Sequence, residues 1–253
     1  WAGNGYSAGT YGIGGSGTRA INSGAGDITL IADDIAGGLI DVTSTGHFTY
    51  KPNSNTIANV AGQLDFSGTI SGNTFTGSGD TDWLKFNNYN ALGGLTLGKA
   101  SMTNDIQVYN SIDVNGPIEL LGASIIVNPG AVLDSTGGGT MANIVLHGSG
   151  SVSVSEAIIA GGGVDIHGNT VALGSSIAYT GDVSIVSDNS DINLSGALSK
   201  TGTADTSTLL KSSRHIVLGS GASMTTAAGS QNIKLWADSD NSGDGINIIS
   251  SQA

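Results

Sequence analysis

Short apolar-polar-apolar triplets recur along this chain, most regularly within residues 131–250. Two aliphatic residues flank a middle residue that is mostly small, polar or charged, and Gly, Ser, Asp or Asn often follows. Because successive side chains of a strand point to opposite sides, each triplet predicts a short β-strand with one buried face. The triplets are Ile144-Val145-Leu146, Val152-Ser153-Val154, Val164-Asp165-Ile166, Val171-Ala172-Leu173, Val183-Ser184-Ile185, Ile192-Asn193-Leu194, Ile216-Val217-Leu218, Ile233-Lys234-Leu235 and Ile246-Asn247-Ile248.

The triplets repeat with a period near 20 residues. Ile144 and Val164 are 20 positions apart, and Val164 and Val183 are 19 apart. A weaker third series has spacings of 19 and 21 and consists of Ile158, Ile177 and Leu198. Three short strands in each repeat of this length are typical of a β-solenoid.

One repeat alone cannot bury its aliphatic side chains, so neighbouring coils must stack and join them into one interior column. Crossovers between parallel strands are right-handed, which fixes the expected winding. The sequence therefore predicts an all-β, right-handed parallel β-helix with about 20 residues and three short strands per coil, in about a dozen coils. We interpret Ile106, Ile125 and Ile144, spaced by 19 residues, as one series of stacked positions.

Two parts of the chain depart from this pattern. Residues 1–26 are Gly-rich and weakly patterned, and we expect an irregular lead-in or a partial coil there. Residues 27–253 are expected to form the β-helix shaft, with excursions near 70–94 and 203–214. Insertions at corners are tolerated because the entropy of loop closure grows slowly with loop length.

Composition limits the classes of partner. The 253 residues include 41 Gly, 20 acidic and 8 basic residues, for a net charge of −12. Such a surface repels phosphate backbones, so nucleic acid is excluded as an expected partner. No apolar run approaches the ~20 residues that cross a bilayer, so we expect no membrane insertion by this segment. The absence of Cys fits a bacterial protein exported across the envelope, although it also fits the cytoplasm.

Three sequence segments resemble repeat units of filamentous-haemagglutinin-like large exoproteins, the adhesins of bacterial two-partner secretion. They begin at Ile28-Thr29-Leu30, Ile216-Val217-Leu218 and Ile233-Lys234-Leu235. The resemblance implies a shaft segment of a long extracellular or cell-surface fibre used for adhesion, aggregation or biofilm contact. It implies as partners a host-cell or neighbour-cell surface or a glycan, and possible self-association along the fibre. It supplies no catalytic residues, and we expect no enzyme activity and no cofactor.

An aromatic cluster lies in residues 76–89, in a stretch too long for a corner. One interpretation is a coil with a bulged side whose aromatic residues pack on the outside. The other is a contact surface, since exposed aromatic side chains stack on sugars and anchor interfaces. If an adhesive contact exists, Trp83, Phe86 and Tyr89 are the candidate binding residues.

The segment that begins at Asp238 resembles the opening of a calcium loop, with Asp240 and Asp244 as further candidate ligands. Position 12 of such a loop is Ile249, which cannot coordinate a metal. We therefore favour a structural corner and expect no metal site, with calcium binding left open.

Carboxylates on adjacent coils could serve a β-helix that binds or cleaves an extracellular glycan, which is the alternative function. Asp113 and Asp165 are the middle residues of triplets and so point outward. A second set, found in one stretch, consists of Asp182, Asp188 and Asp191. His147 and His167 are 20 residues apart, and we expect them to stack on successive coils as a surface ladder.

Overall fold

The computed structural model of this chain describes residues 12–14, 19–36, 40–56, 63–66, 69–71, 74–76, 84–86, 92–138, 142–243 and 248–250. These residues form strands numbered β1 to β30 in chain order and a 3-10 turn at Thr136–Gly138. Within the same ranges, no helix is long and apolar enough to cross a bilayer. The chain is a right-handed parallel β-solenoid, and the predicted fold class is confirmed.

Nine strands form one parallel sheet, which we call the first face. Every neighbouring pair in it is parallel and joins successive coils. The strands are β3 (Ile28–Ile31), β6 (His47–Lys51), β11 (Gly94–Gly98), β14 (Ile118–Gly122), β17 (Ile144–Gly148), β20 (Val164–Gly168), β23 (Val183–Ser187), β26 (Thr206–Ser212) and β29 (Gln231–Trp236).

Two further parallel sheets complete the coils. The second face consists of β7 (Gln63–Phe66), β12 (Asp105–Val108), β15 (Ile125–Val127), β18 (Ser151–Val154), β21 (Thr170–Leu173), β24 (Ile192–Leu194), β27 (Ile216–Leu218) and β30 (Ile248–Ser250). The third face consists of β13 (Ile112–Asp113), β16 (Leu133–Asp134), β19 (Ile158–Ile159), β22 (Ile177–Tyr179), β25 (Ala197–Lys200) and β28 (Ser223–Thr226). From β11 onward the chain visits the three faces in the same order in each coil.

The N-terminal strands pair in the same parallel manner. β1 (Gly12–Gly14) pairs with β4 (Asp34–Ala36), while β2 (Arg19–Gly24) and β10 (Leu84–Phe86) flank β5 (Ile40–Ser44). The described part of the predicted lead-in, residues 1–26, thus has the pairing of a partial coil. The coil that joins Phe48 to its partner Leu95 takes 47 residues and contains a short antiparallel pair, β8 (Thr69–Ser71) with β9 (Thr74–Thr76).

The predicted stacking of aliphatic residues is confirmed in the most regular region. Ile144 pairs with Val164, and Val164 pairs with Val183. On the second face Val152 pairs with Val171, and on the third face Ile177 pairs with Ile158 and Leu198. All of these side chains are buried, so the interior is a continuous aliphatic column.

Three details differ from the sequence prediction. Ile125 lies on the second face and pairs with Val152, whereas Ile144 lies on the first face, so their spacing of 19 residues was not a stacking interval. The predicted excursion at 203–214 contains β26, a regular first-face strand, and the inserted residues precede it. The coils of the described region are also fewer than a dozen, because the seven first-face strands from Leu95 to Ile233 are spaced 23 residues apart on average.

An inward position of the third face carries a charged side chain. Lys200 stands between Tyr179 and Thr226 in the third face and is 1% exposed. Its ammonium group donates to the carbonyl oxygen of Gly202 at 2.6 Å and to that of Ala228. Because a buried ammonium group needs such partners, Lys200 ties the long corner after β25 to the corner after β28.

Candidate binding surface on the first face

The outward side chains of the first face form two columns parallel to the axis of the solenoid. Register places one residue of each strand directly beside its counterpart in the next coil, and all of these side chains are at least partly exposed. Column A is Thr49, Thr96, Glu119, Val145, Asp165, Ser184, Leu209 and Lys234. Column B is Leu121, His147, His167, Val186, Lys211 and Trp236.

Two histidines in column B bind carboxylates of the following coil. His147 Nε2 lies 2.9 Å from Asp165 Oδ2, and His167 Nε2 lies 2.7 Å from Asp188 Oδ2. The two imidazole rings are 5.6 Å apart and meet edge to face. The predicted stacking of His147 and His167 on successive coils is therefore confirmed.

The contact between His147 and Asp165 shifts the pKa of both groups. The hydrogen bond to Asp165 raises the pKa of His147 against the opposing effect of burial, and the charges of Asp165 and Glu119 add to the rise. The same hydrogen bond lowers the pKa of Asp165, again against the effect of burial. The pair consequently favours the charged form of both side chains in mildly acidic solution.

A third histidine, His47, takes part in a chain of hydrogen bonds that joins three successive coils. His47 Nε2 lies 2.8 Å from Thr96 Oγ1, and the Thr96 hydroxyl donates to Glu119 Oε2 at 3.0 Å. Since the hydroxyl proton is directed at Glu119, the His47 nitrogen must be the donor in its contact with Thr96. His47 is therefore placed as a hydrogen-bond donor to this hydroxyl and not as its base.

A groove of about 1000 Å³ runs along column A from Val145 to Leu209. Its floor is formed by the outward residues Val145, Asp165, Ser184 and Leu209, and its wall by the corners at 162–163, 180–182 and 201–204. The wall is built up by a longer coil, since Val183 to Thr208 spans 25 residues and Val164 to Val183 spans 19.

The groove lining is acidic and partly apolar. Among the described residues that line it, Asp165 and Asp182 are the two charged side chains, and none is Lys, Arg or His. Asp182 Oδ1 accepts hydrogen bonds from the Ser207 amide at 2.7 Å and the Ser207 hydroxyl at 3.0 Å, which fixes the carboxylate at the wall. Sequence reasoning noted Asp165 and Asp182 but could not bring them to one groove, because that depends on the corner lengths.

An exposed tryptophan with two lysines ends column B. Trp236 is 41% exposed, and the centroid of its ring lies 5.2 Å from Lys211 Nζ and 4.5 Å from Lys234 Nζ. This cluster was missed as a candidate site, although the alternation in Ile233-Lys234-Leu235-Trp236 is a signal that puts Lys234 and Trp236 on the same outer side. Each ammonium group is attracted to the face of the indole ring, so the two contacts favour a defined orientation of the ring.

The aromatic candidates Trp83, Phe86 and Tyr89 fall largely outside the described residues. Phe86 belongs to β10, where its backbone pairs with that of Val42. Trp83, Tyr89 and the side chain of Phe86 lie outside the described part of the chain. The contact patch at these residues stays a prediction.

In the candidate calcium loop, the carboxylates of Asp238 and Asp240 accept hydrogen bonds from groups of the same loop. Asp238 Oδ1 accepts from the Gly243 amide at 3.1 Å and the Ser242 hydroxyl at 3.3 Å, and Asp240 Oδ1 accepts from the Ser242 amide at 3.2 Å. Asp244 lies outside the described residues. Among the residues that are described, no three His, Asp or Glu side chains are grouped to hold a metal ion.

The three aspartates grouped in the sequence have separate partners in the fold. Asp182 binds Ser207, Asp188 binds His167, and Asp191 Oδ1 lies 3.2 Å from His215 Nδ1. Asp113, in contrast, is in register with Asp134 on the third face. Burial, together with the charge of Asp134, raises the pKa of Asp113.

No protein-family model, curated protein or solved structure matches this chain.

Proposed function

We propose that this chain is a non-catalytic shaft segment of a long bacterial surface or secreted fibre that serves adhesion, aggregation or biofilm contact. The observation that carries the proposal is the first face, whose nine described strands join successive coils by parallel pairing. The sequence of the repeat units, which resembles that of two-partner-secreted adhesins, supports the extracellular location.

The solenoid suits a shaft for a physical reason. Its interstrand hydrogen bonds and its aliphatic column both run along the axis, so each added coil extends the rod and contacts only its neighbours. Polar side chains dominate the outer positions, as in the Ser151–Val154 and Ile192–Leu194 strands. Such a surface keeps an elongated rod in solution without requiring a ligand.

An adhesion assay tests this function. Beads coated with the protein are expected to attach to host cells, or to bacteria of the species that produces the protein, more than albumin-coated beads do. The triple variant Trp83→Ala, Phe86→Ala and Tyr89→Ala should lower attachment if the predicted patch is the contact, whereas Tyr109→Ala, at an exposed tyrosine outside this patch, serves as the aromatic control. Compact particles in electron micrographs, or attachment no greater than that of albumin-coated beads, would contradict the proposal.

A glycan-cleaving function has one observation in its favour. Asp113 and Asp134 are neighbours in register, and the pKa of Asp113 is raised while Asp134 accepts the Thr136 amide at 2.8 Å. Two neighbouring carboxyl groups, one of them with a raised pKa, are the arrangement that acid-base cleavage of a glycosidic bond uses. Release of reducing ends from a panel of polysaccharides, abolished in Asp113→Asn, would establish this function and contradict the non-catalytic one.

A further inference from the structure

The floor of the first-face groove has an apolar residue at each end and a carboxylate between them. Column A reads Val145, Asp165, Ser184 and Leu209 over four successive coils. Val145 and Leu209 are outward and only partly buried, at positions where this chain otherwise favours polar residues. Exposed aliphatic side chains that line a concavity mark a surface suited to apolar groups of a ligand.

Two carboxylates give the groove its negative charge. Asp165 and Asp182 both line the groove, and no basic side chain of the described residues does. Outside the lining, His147 contacts Asp165 and compensates part of its charge, and Lys234, one coil beyond Leu209, lies over the Trp236 ring. Asp182 instead binds the amide and hydroxyl of Ser207, which are neutral. A ligand group placed on the middle of the floor therefore meets negative potential, which favours a cation.

The spacing of the floor matches that of an extended peptide. Neighbouring strands are about 4.8 Å apart, so Val145 and Leu209 are separated by about 14 Å. An extended chain rises about 3.4 Å per residue and turns alternate side chains to one side, so its residues i, i+2 and i+4 also span about 14 Å. The middle one of these side chains then reaches the floor beside Asp165 and Ser184.

We propose that this groove binds an extended peptide segment in which a Lys or Arg is flanked, two positions away on each side, by aliphatic residues. The aliphatic side chains contact Val145 and Leu209, and the basic side chain contacts the carboxylate of Asp165. The apolar ends select a peptide over a simple polyamine, which offers no branched aliphatic groups to them.

Fluorescence polarisation with labelled peptides tests the proposal. The probe carries the core Leu-Ser-Lys-Ser-Leu and is expected to bind saturably, with weaker binding as salt is raised. Moving the lysine by one position, to Leu-Lys-Ser-Ser-Leu, turns it away from the floor and should weaken binding at least tenfold. Replacing the lysine by glutamate should abolish binding.

Variants of the chain locate the site. Ser184→Trp fills the groove from an outward position and should abolish binding, whereas Ser153→Trp, outward on the second face, should leave it unchanged. Asp165→Asn should weaken binding about tenfold, with Glu119→Gln as the charge control in column A. Melting temperatures of all four variants verify that the solenoid is retained.

Several results would overturn the proposal. These are the absence of saturable binding, equal affinity for the two lysine positions, or equal loss in Ser184→Trp and Ser153→Trp. Competition by spermidine at the affinity of the peptide would also overturn it, because the site would then recognise cationic charge without the aliphatic residues.

Discussion

His147 and Asp165 are 18 residues apart in the chain, yet their side chains meet across successive coils with Nε2 2.9 Å from Oδ2. The strand register that aligns Ile144 with Val164 also determines this contact, because both aliphatic residues are inward and both polar residues are outward. The stacking of the interior and the chemistry of the surface therefore depend on one set of hydrogen bonds.

We expect this pair to stabilise the fold in mildly acidic solution. The raised pKa of His147 contributes stability below its usual value of 6.5, which is lost as pH rises through the folded-state pKa. The lowered pKa of Asp165 contributes stability above its usual value of 3.8, which is lost as pH falls through the folded-state pKa. Both contributions are fully present between these two values, near pH 5.

Urea unfolding of a double-mutant cycle, His147→Gln with Asp165→Asn, measures the coupling at pH 5 and at pH 8. Since both side chains are more than a third exposed, we expect about 0.2–1 kcal/mol at pH 5 and less at pH 8. A coupling that grows between pH 5 and pH 8 would contradict this account.

Truncation of an interior residue should be costly. Ile177 is fully buried between Ile158 and Leu198, so Ile177→Ala is expected to lower the free energy of unfolding by about 2–5 kcal/mol. Ala178→Ser alters the next residue, which points outward, and should change it by no more than about 0.5 kcal/mol. Denaturant unfolding compares the two variants. Similar losses of unfolding free energy would contradict the structure, in which Ile177 points inward and Ala178 points outward.

Two corner glycines should respond in opposite directions to alanine. A Cβ atom on Gly196 would overlap the carbonyl group of Ser175 in the previous coil, whereas the nearest atom to a Cβ on Gly174 is 3.4 Å away. We expect Gly196→Ala to lower stability by about 1–3 kcal/mol. Gly174→Ala should raise it by about 0.4–1 kcal/mol by restricting the unfolded chain. Thermal unfolding of both variants is the measurement, and equal effects would contradict the close approach at Gly196.

Hydrogen exchange should follow the burial of the coils. The inward residues of β17, β20 and β23 are buried, whereas Ile233 occupies an inward position of β29 and is 47% exposed. Amides of β28 and β29 are therefore expected to exchange faster than those of β17 to β23, since local opening exposes less apolar surface there. Exchange measured by mass spectrometry at the peptide level checks this, and uniform protection along the solenoid would be the contrary result.

Local errors in the sequence interpretation have a common origin. The spacing from Ile125 to Ile144 equals a real stacking interval, but Ile125 belongs to the second face and Ile144 to the first. A periodicity gives the separation of similar residues and not the face on which each lies when corner lengths vary. The same variation placed β26 inside a predicted excursion, because the first-face triplet at Thr208 begins with a polar residue.

The sequence by itself determined the all-β solenoid, its three strands per coil and the stacking of residues such as Val164 on Val183. These follow from the alternation of apolar and polar residues and from the need of each coil to bury its aliphatic side chains on a neighbour. Only the tertiary structure decided that Asp165 and Asp182 line one groove and that Lys211 and Lys234 flank Trp236. Such surface groupings depend on corner lengths and strand register across several coils, which no local pattern encodes.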